Sequence, residues 1–81
     1  MVNLSKSRKV LLNEVESVKA FVSCVSSNCE SDVILHKGRY YIDAKSLLGV
    51  LSLDLSKPID IDFVDESDFE KVHDKMPAVF V

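Results

Sequence analysis

The segment IDIDF constrains the fold more than any other part of the chain. Ile59, Ile61 and Phe63 alternate there with Asp60 and Asp62. Because successive side chains of a β-strand point to opposite faces, this alternation predicts a strand with one apolar face and one acidic face. A sheet that contains such a strand needs a layer of helices on one side and water on the other.

A helix is predicted upstream of this strand, because apolar residues recur there at helical spacing. These residues are Val15, Val18, Phe21, Val22 and Val25. Asn13 and Glu16 form an Asn variant of a capping box at the start of the stretch. We therefore expect a helix over about residues 14–27, with Asn13 as its N-cap.

A second helix is predicted near the C-terminus. Phe69, Val72 and Met76 are again at helical spacing, and Pro77 ends the helix because proline cannot continue it. The remaining residues, 77–81, form a short apolar tail. We expect this tail either to dock on the sheet or to pair with a second chain as an edge strand.

The other strands are predicted from the segments KVLL, with the residues before it, and DVILHKGRYYID. The latter contains two strands joined by a turn at Gly38, with Val33 and Leu35 on one face of the first and Tyr40 and Ile42 on one face of the second. The order is strand, helix, strand, strand, short element, strand, helix. It predicts an α+β fold with an antiparallel or mixed sheet that is covered on one face.

The short element is KSLLGVLSL, which contains one of the two glycines of the chain. Ser46 is a preferred N-cap residue, so we expect a helix of about two turns over residues 47–52. The apolar residues of so short a helix cannot all face inward, and at least two of them should be exposed. Exposed leucines that lie together indicate a contact surface.

Size and charge exclude several classes of function. The 81 residues predict one domain, residues 1–81, of which 77–81 are the tail. The net charge of −3 argues against nucleic-acid binding, which needs a basic surface. No apolar run is long enough to span a membrane, and the N-terminus has no hydrophobic signal core. We therefore expect a cytoplasmic protein.

The residue types that carry catalysis or bind metals are sparse and scattered. Cys24 and Cys29 have neither redox nor zinc-ligand spacing, so we interpret them as plain thiols. His36 and His73 are interpreted as surface histidines. The acidic clusters have no convergent partner and are expected to face solvent; they are Asp60–Asp62, Asp65–Glu66 and Asp68–Glu70. We expect no metal, no cofactor and no independent enzymatic activity.

The segment SDVILHKGRYYIDAKSLLGVLSL resembles the middle of HPr, the histidine-containing phosphocarrier of the bacterial sugar phosphotransferase system. The pattern Lys-Ser-x-x-Gly-Val-x-Ser-Leu begins at Lys45, and the N-terminal third matches only in its order of elements. The resemblance implies an open-faced β-sandwich of order βαββαβα, with a four-stranded antiparallel sheet and helices on one face. It also implies two sites: a histidine that accepts a phosphoryl group at the start of the first helix, and a regulatory serine that caps the second.

The family histidine, which lies in a His-Ala-Arg-Pro-Ala stretch, is absent here. A gapless alignment places Val15 at its position, and a register shifted by one residue places Glu14 there. The arginine and proline of the stretch are missing in both registers. The serine is present as Ser46, next to Lys45. In this combination the chain resembles Crh, a relative of HPr that lacks the histidine and keeps the serine.

Three functions follow as alternatives from these observations. The first is an HPr-like regulatory module that binds proteins through Lys45, Leu47, Leu48 and Leu51, with Ser46 as a candidate for regulatory phosphorylation. Its partners would be HPr kinase, phosphotransferase-system enzymes or a transcriptional regulator, and it would be a monomer or weak homodimer with no nucleic-acid or membrane partner. The second is a phosphocarrier that uses a non-standard site such as Glu14. The third is a structural or interaction protein that keeps only the fold.

Overall fold

A computed structural model describes residues 8–81 and contains the predicted order of strands and helices. The first strand is shorter than expected, because Leu11 and Leu12 lie outside it. The expectations for the residues before Arg8, including the missing signal core, lie outside the described residues. The elements are β1 (Arg8–Val10), α1 (Val15–Asn28), β2 (Val33–Lys37), β3 (Tyr40–Asp43), α2 (Leu47–Leu51), β4 (Ile59–Phe63), α3 (Glu66–Lys75) and a 3₁₀ turn (Pro77–Val79).

The four strands form one antiparallel sheet in the order β1-β4-β2-β3. β4 is an inner strand, with β1 on one side and β2 on the other. Ile61 pairs with Arg8 and with Leu35, and Ile59 pairs with Val10. The fold is therefore α+β, and the expectation of a four-stranded antiparallel sheet is confirmed.

The core lies between the inner face of the sheet and the helices. Its largest fully buried side chain, Phe21, comes from α1, and Val72 of α3 is fully buried with it. The sheet contributes Val10, Val33, Leu35, Ile59 and Ile61. The alternation of the IDIDF segment therefore predicted correctly which face of β4 is buried.

The opposite face of the sheet carries a row of polar side chains. Lys9 pairs with Asp60, Asp60 with His36, and His36 with Tyr41 in the strand register. The Lys9 Nζ lies 2.7 Å from the Asp60 Oδ1, and this hydrogen bond lowers the pKa of the Asp60 carboxyl. The His36 Nε2 lies 3.0 Å from the Asp62 Oδ2. This arrangement confirms the acidic outer face of β4.

The prediction that Asn13 caps α1 is wrong. The N-cap is Glu14, whose backbone is extended at φ −134° and ψ 147°, and its side chain makes no capping hydrogen bond. Val15 is 54% exposed, and water can therefore satisfy the free N–H groups of the first turn without a capping side chain. The helix ends at Asn28, whose Nδ2 donates to the Cys24 carbonyl at 2.8 Å.

The alternation had suggested that Tyr40 and Ile42 lie on one face of the strand, but the two residues differ in burial. Tyr40 is 69% exposed, whereas Ile42 is half-buried. β3 is an edge strand of the sheet, and Tyr40 is its first residue, directly after the turn. Gly38 occupies the first position of this two-residue turn with φ +61°, as a type II′ hairpin requires.

The C-terminal tail docks on the sheet of its own chain, which is one of the two predicted arrangements. Pro77 follows the end of α3, as expected. The Leu11 N–H donates to the Val79 carbonyl at 2.8 Å, and the Val81 N–H donates to the Lys9 carbonyl at 3.1 Å. Phe80 forms an antiparallel bridge with Val10 of β1. The tail therefore protects the β1 edge, which would otherwise present free backbone groups.

The expectation that all acidic clusters face solvent is wrong for Asp68. This residue is only 2% exposed. Its Oδ2 accepts a hydrogen bond from the Ser31 N–H at 3.1 Å, and its carbonyl lies 3.8 Å from the Cys29 Sγ. The side chain thus ties the loop before β2 to the first turn of α3. The helical position of Asp68 gave no signal of this contact, which depends on a residue 37 positions away.

Replacing Asp68 with alanine should destabilise the fold by about 1–3 kcal/mol, because the Ser31 N–H would lose its partner in a partly buried position. The free energy of unfolding from urea titration measures this loss. Asp74→Ala is the matched control: it removes a carboxylate from the exposed face of the same helix and should change stability by less than about 0.5 kcal/mol. Equal effects of the two substitutions would contradict a structural role for Asp68.

Candidate functional site

Ser46 caps α2 as the sequence predicts. Its backbone is extended, at φ −99° and ψ 107°, and its Oγ accepts a hydrogen bond from the Gly49 N–H at 3.2 Å. The Ser46 carbonyl accepts the first helical bond, from the Val50 N–H at 2.9 Å. The helix covers Leu47–Leu51, one residue less than expected, and Ser52 forms its C-cap.

The link from β3 to α2 fixes the position of this cap. The Ala44 N–H donates to the Val33 carbonyl at 2.9 Å, which anchors the link to β2. Asp43 then accepts twice: its Oδ1 from the Lys45 N–H and its carbonyl from the Ser46 N–H, both at 2.9 Å. Because the backbone on both sides of Lys45 is bonded, Ser46 is held at the start of the helix.

Gly49 allows α2 to lie close to the sheet. A Cβ added to Gly49 would lie 2.8 Å from the Ile42 Cγ2 and 3.1 Å from the Ser46 Oγ. The first distance is below van der Waals contact, and the branched side chain of Ile42 has little freedom to move away. The glycine that interrupts the apolar run is therefore required by the approach of the helix to β3.

The exposed side of α2 carries three leucines. Leu48 is 81% exposed, and Leu47 and Leu51 are 36% and 37% exposed. Val50 is fully buried and Leu53 half-buried, so the helix divides its apolar residues between the core and solvent. We refer to these three leucines together with the half-buried Lys45 as the α2 surface. The expectation of at least two exposed apolar residues is confirmed.

The start of α1 presents acidic and apolar side chains. Glu14, Val15 and Glu16 are all exposed there, and α1 packs against α2. The Glu16 Oε2 lies 3.8 Å from the Lys19 Nζ, one turn further along the helix. Carboxylates at this position favour the helix through its dipole. They also give the surface a negative charge where a bound phosphate would need a positive one.

The histidines lie away from the start of α1. His36 stacks on Tyr41 with 5.4 Å between ring centroids, on the helix-free face of the sheet. His73 lies on α3, 5.3 Å from both Phe69 and Phe80 by ring centroid. Neither histidine is therefore placed by the fold where the helices α1 and α2 meet.

The cysteines are free thiols, and Cys29 belongs to the core. Burial, together with the nearby Asp68 carboxylate, raises the pKa of Cys29 to about 11. Burial also raises the pKa of Cys24. Both thiols therefore stay protonated at neutral pH, which makes them poor nucleophiles and poor metal ligands. Within residues 8–81, no group of three or more His, Cys, Asp or Glu side chains is placed to hold a metal ion.

A cleft of about 560 Å³ lies at the opposite end of α2 from Ser46. It is lined by the β2–β3 turn and the residues after α2, among them Lys37, Arg39, Tyr40 and Asp54. Sequence reasoning missed this site, because its two walls come from segments that carry no joint motif. In the part of the chain that the structure describes, no helix is long and apolar enough to cross a membrane.

Comparison with solved structures shows a protein with a similar fold. The chain superimposes on the crystal structure of HPr-C-His from Thermoanaerobacter tengcongensis with a TM-score of 0.69, over 91% of this chain and 93% of that one. The two sequences are 18% identical, so the similarity shows an HPr-like fold and nothing finer. No protein-family model matches the chain, and no curated protein matches it.

Ser46→Ala should lower the free energy of unfolding by about 1 kcal/mol, because the Gly49 N–H loses its capping oxygen. Ser46→Asn keeps a capping acceptor and should retain most of the stability. Ser23→Ala, on the exposed face of α1, is the matched control and should be neutral or slightly stabilising. Urea titration of the three variants checks the prediction, and a neutral Ser46→Ala would contradict the capping role.

Proposed function

We propose that this chain is an HPr-like regulatory module, related to the sugar phosphotransferase system, that binds other proteins through the α2 surface. The observation that carries the proposal is the combination of exposed leucines on a serine-capped helix with a start of α1 that has lost the phosphoryl-accepting residues. Leu48, at 81% exposure, would be the centre of the contact. Burying such a side chain in a partner is worth about 1.5–3 kcal/mol.

The electrostatics at α1 favour a binding module over a phosphocarrier. Phosphotransfer through histidine needs an imidazole that can act as nucleophile near neutral pH. The positions at which the family histidine would fall are Glu14 and Val15, and both are exposed. Glu14 and Glu16 would also repel an incoming phosphoryl group, which is itself anionic. The chain would therefore meet protein partners without receiving phosphate at α1.

Ser46 is the proposed regulatory residue of this module. It is exposed, so a kinase could reach its Oγ, and it lies at a helix N-terminus, where a phosphate is stabilised by the free N–H groups. Lys45 would stand next to the added charge. The phosphate would also replace the hydroxyl that caps Gly49 and place two negative charges beside the exposed leucines. Partner choice at the α2 surface would thus depend on the phosphorylation state.

The remaining properties follow from this proposal. The partners would be a kinase of the HPr-kinase type, enzymes of the phosphotransferase system or a transcriptional regulator. The chain would act in the cytoplasm as one domain, residues 1–81, without enzymatic activity of its own. With its β1 edge covered by the tail, it would be a monomer or a weak homodimer.

The first test is phosphorylation by HPr kinase with ATP. We expect the mass of one phosphate to appear in the peptide that contains Ser46, and none to appear in the Ser46→Ala variant. Ser52, at the other end of α2, serves as the internal control and should stay unmodified. A phosphate found on another residue, or no phosphate under conditions in which an HPr control is fully modified, would exclude the switch.

The second test separates binding from phosphotransfer. With enzyme I and phosphoenolpyruvate, we expect no acid-labile phosphate on the chain, while calorimetry detects binding to enzyme I. Leu48→Glu should weaken this binding at least about tenfold, because it places a charge in the apolar contact. Val64→Glu is the matched control: Val64 is 74% exposed and lies outside α2, so binding should not change.

Either of two results would contradict the proposal. An acid-labile label that disappears in Glu14→Gln would show a phosphocarrier with a non-standard site. No binding to enzyme I, to HPr kinase or to a transcriptional regulator that binds HPr would leave a protein that shares only the fold.

A further inference from the structure

The cleft at the C-terminal end of α2 has the size and the lining of a small-molecule site. Its volume of about 560 Å³ falls in the range of roughly 300–1,000 Å³ that ligand sites occupy. Lys37, Gly38, Arg39 and Tyr40 form one wall, and Ser52, Leu53 and Asp54 form the other. The space beside Gly38 is open, because even an added Cβ there would have no atom within 4 Å.

The hairpin wall provides two cations without partners. Among residues 8–81, neither Lys37 nor Arg39 forms an ion pair. Residues 1–7 contain no aspartate or glutamate that could supply one. The chain as a whole has a net charge of −3, so the local positive charge of these two residues differs in sign from the charge of the whole chain. Arginine binds phosphate oxygens through paired N–H donors, and lysine adds a point charge.

The middle of the cleft is apolar. Tyr40 is 69% exposed at the edge of the sheet, so one face of its ring is available for stacking. Leu53 lies on the opposite wall and is half-buried. A flat ring between these two side chains would gain contact with both, because aromatic rings favour offset stacking and apolar burial.

The other wall ends in a carboxylate that is fixed in position. The Asp54 Oδ1 accepts hydrogen bonds from the Ser56 N–H at 3.1 Å and the Ser56 Oγ at 2.7 Å. These bonds lower the pKa of Asp54, so the group is ionised at neutral pH and acts only as an acceptor. Its other oxygen accepts no hydrogen bond within residues 8–81, although the charges of Lys37 and Lys57 also act on the carboxylate. This wall would repel a bare anion and attract hydroxyl or N–H donors.

We propose that the cleft binds a small organic phosphate of the nucleoside monophosphate type. The phosphate would lie on Lys37 and Arg39, the flat ring between Tyr40 and Leu53, and the hydroxyl groups would donate to Asp54. The three parts of the cleft require a ligand that is anionic at one end, flat and apolar in the middle and rich in donors at the other wall. This site is independent of the proposed function, since it lies at the opposite end of α2 from Ser46.

The test is a titration of the ¹⁵N-labelled full chain with adenosine monophosphate, followed by the backbone amide shifts. We expect saturable shifts for the cleft residues and smaller effects elsewhere. Inorganic phosphate and adenosine, titrated separately, should each bind at least about tenfold more weakly, because each lacks one of the required parts. Equal affinity for inorganic phosphate would overturn the proposal and leave a non-selective anion contact.

Single substitutions in the cleft test which residue contacts which part of the ligand. Arg39→Ala should weaken binding about tenfold or more, while Lys75→Ala, which removes the same charge from α3, should not change it. Tyr40→Ala should remove the preference for adenosine monophosphate over inorganic phosphate. Asp54→Asn keeps the acceptor for Ser56 and should strengthen the binding of inorganic phosphate. All these residues are exposed, so the variants should fold; unchanged affinity in Arg39→Ala, or no shift at millimolar ligand, would overturn the proposal.

Discussion

The burial of Ile59 and Ile61 against the helices is the interaction on which the rest of the structure depends. β4 is the strand that connects the two halves of the sheet, because it pairs with β1 on one side and β2 on the other. Its two isoleucines are 0% and 1% exposed, whereas Asp60 and Asp62, which follow them in turn, face outward. A shift of one residue in the register would bury carboxylates and expose both isoleucines. The alternation thus fixes the face on which α1 and α3 must lie.

The second helix, α2, places only part of its apolar surface against the sheet and the core. Val50 and the small Gly49 are the residues that meet the sheet, the latter next to Ile42 of β3. On the outer side, Leu48 is 81% exposed, whereas Leu47 and Leu51 are 36% and 37% exposed. Their exposure therefore follows from the geometry of the fold, and a partner that covers them would gain apolar contact without any rearrangement of the core.

The sequence predicted those features that depend on neighbouring residues. The alternation in β4, the apolar stripe of α1 and the cap at Ser46 are local patterns, and each gave the right element. Four of the five stripe residues of α1 are buried, whereas Val15 is 54% exposed. One error is also local, since Glu14 and not Asn13 is the N-cap of α1. The other errors concern contacts between distant segments. Asp68 is buried and accepts a hydrogen bond from Ser31, Tyr40 is exposed at the edge of the sheet, and the cleft forms between two walls without a shared motif.

The fold and the phosphate chemistry are separate properties of this chain. At 18% identity the backbone still superimposes on an HPr with a TM-score of 0.69, because the fold needs only the pattern of buried residues. A phosphoryl-accepting site, in contrast, needs particular side chains in an electropositive setting, and the start of α1 carries the exposed residues Glu14, Val15 and Glu16. The core does not include the exposed start of α1, so packing constrains these side chains less than it constrains Phe21 or Val72. What the core does constrain is α2, through the approach of Gly49 to Ile42. The fold therefore constrains the position of α2 on the sheet more tightly than the residues at the start of α1.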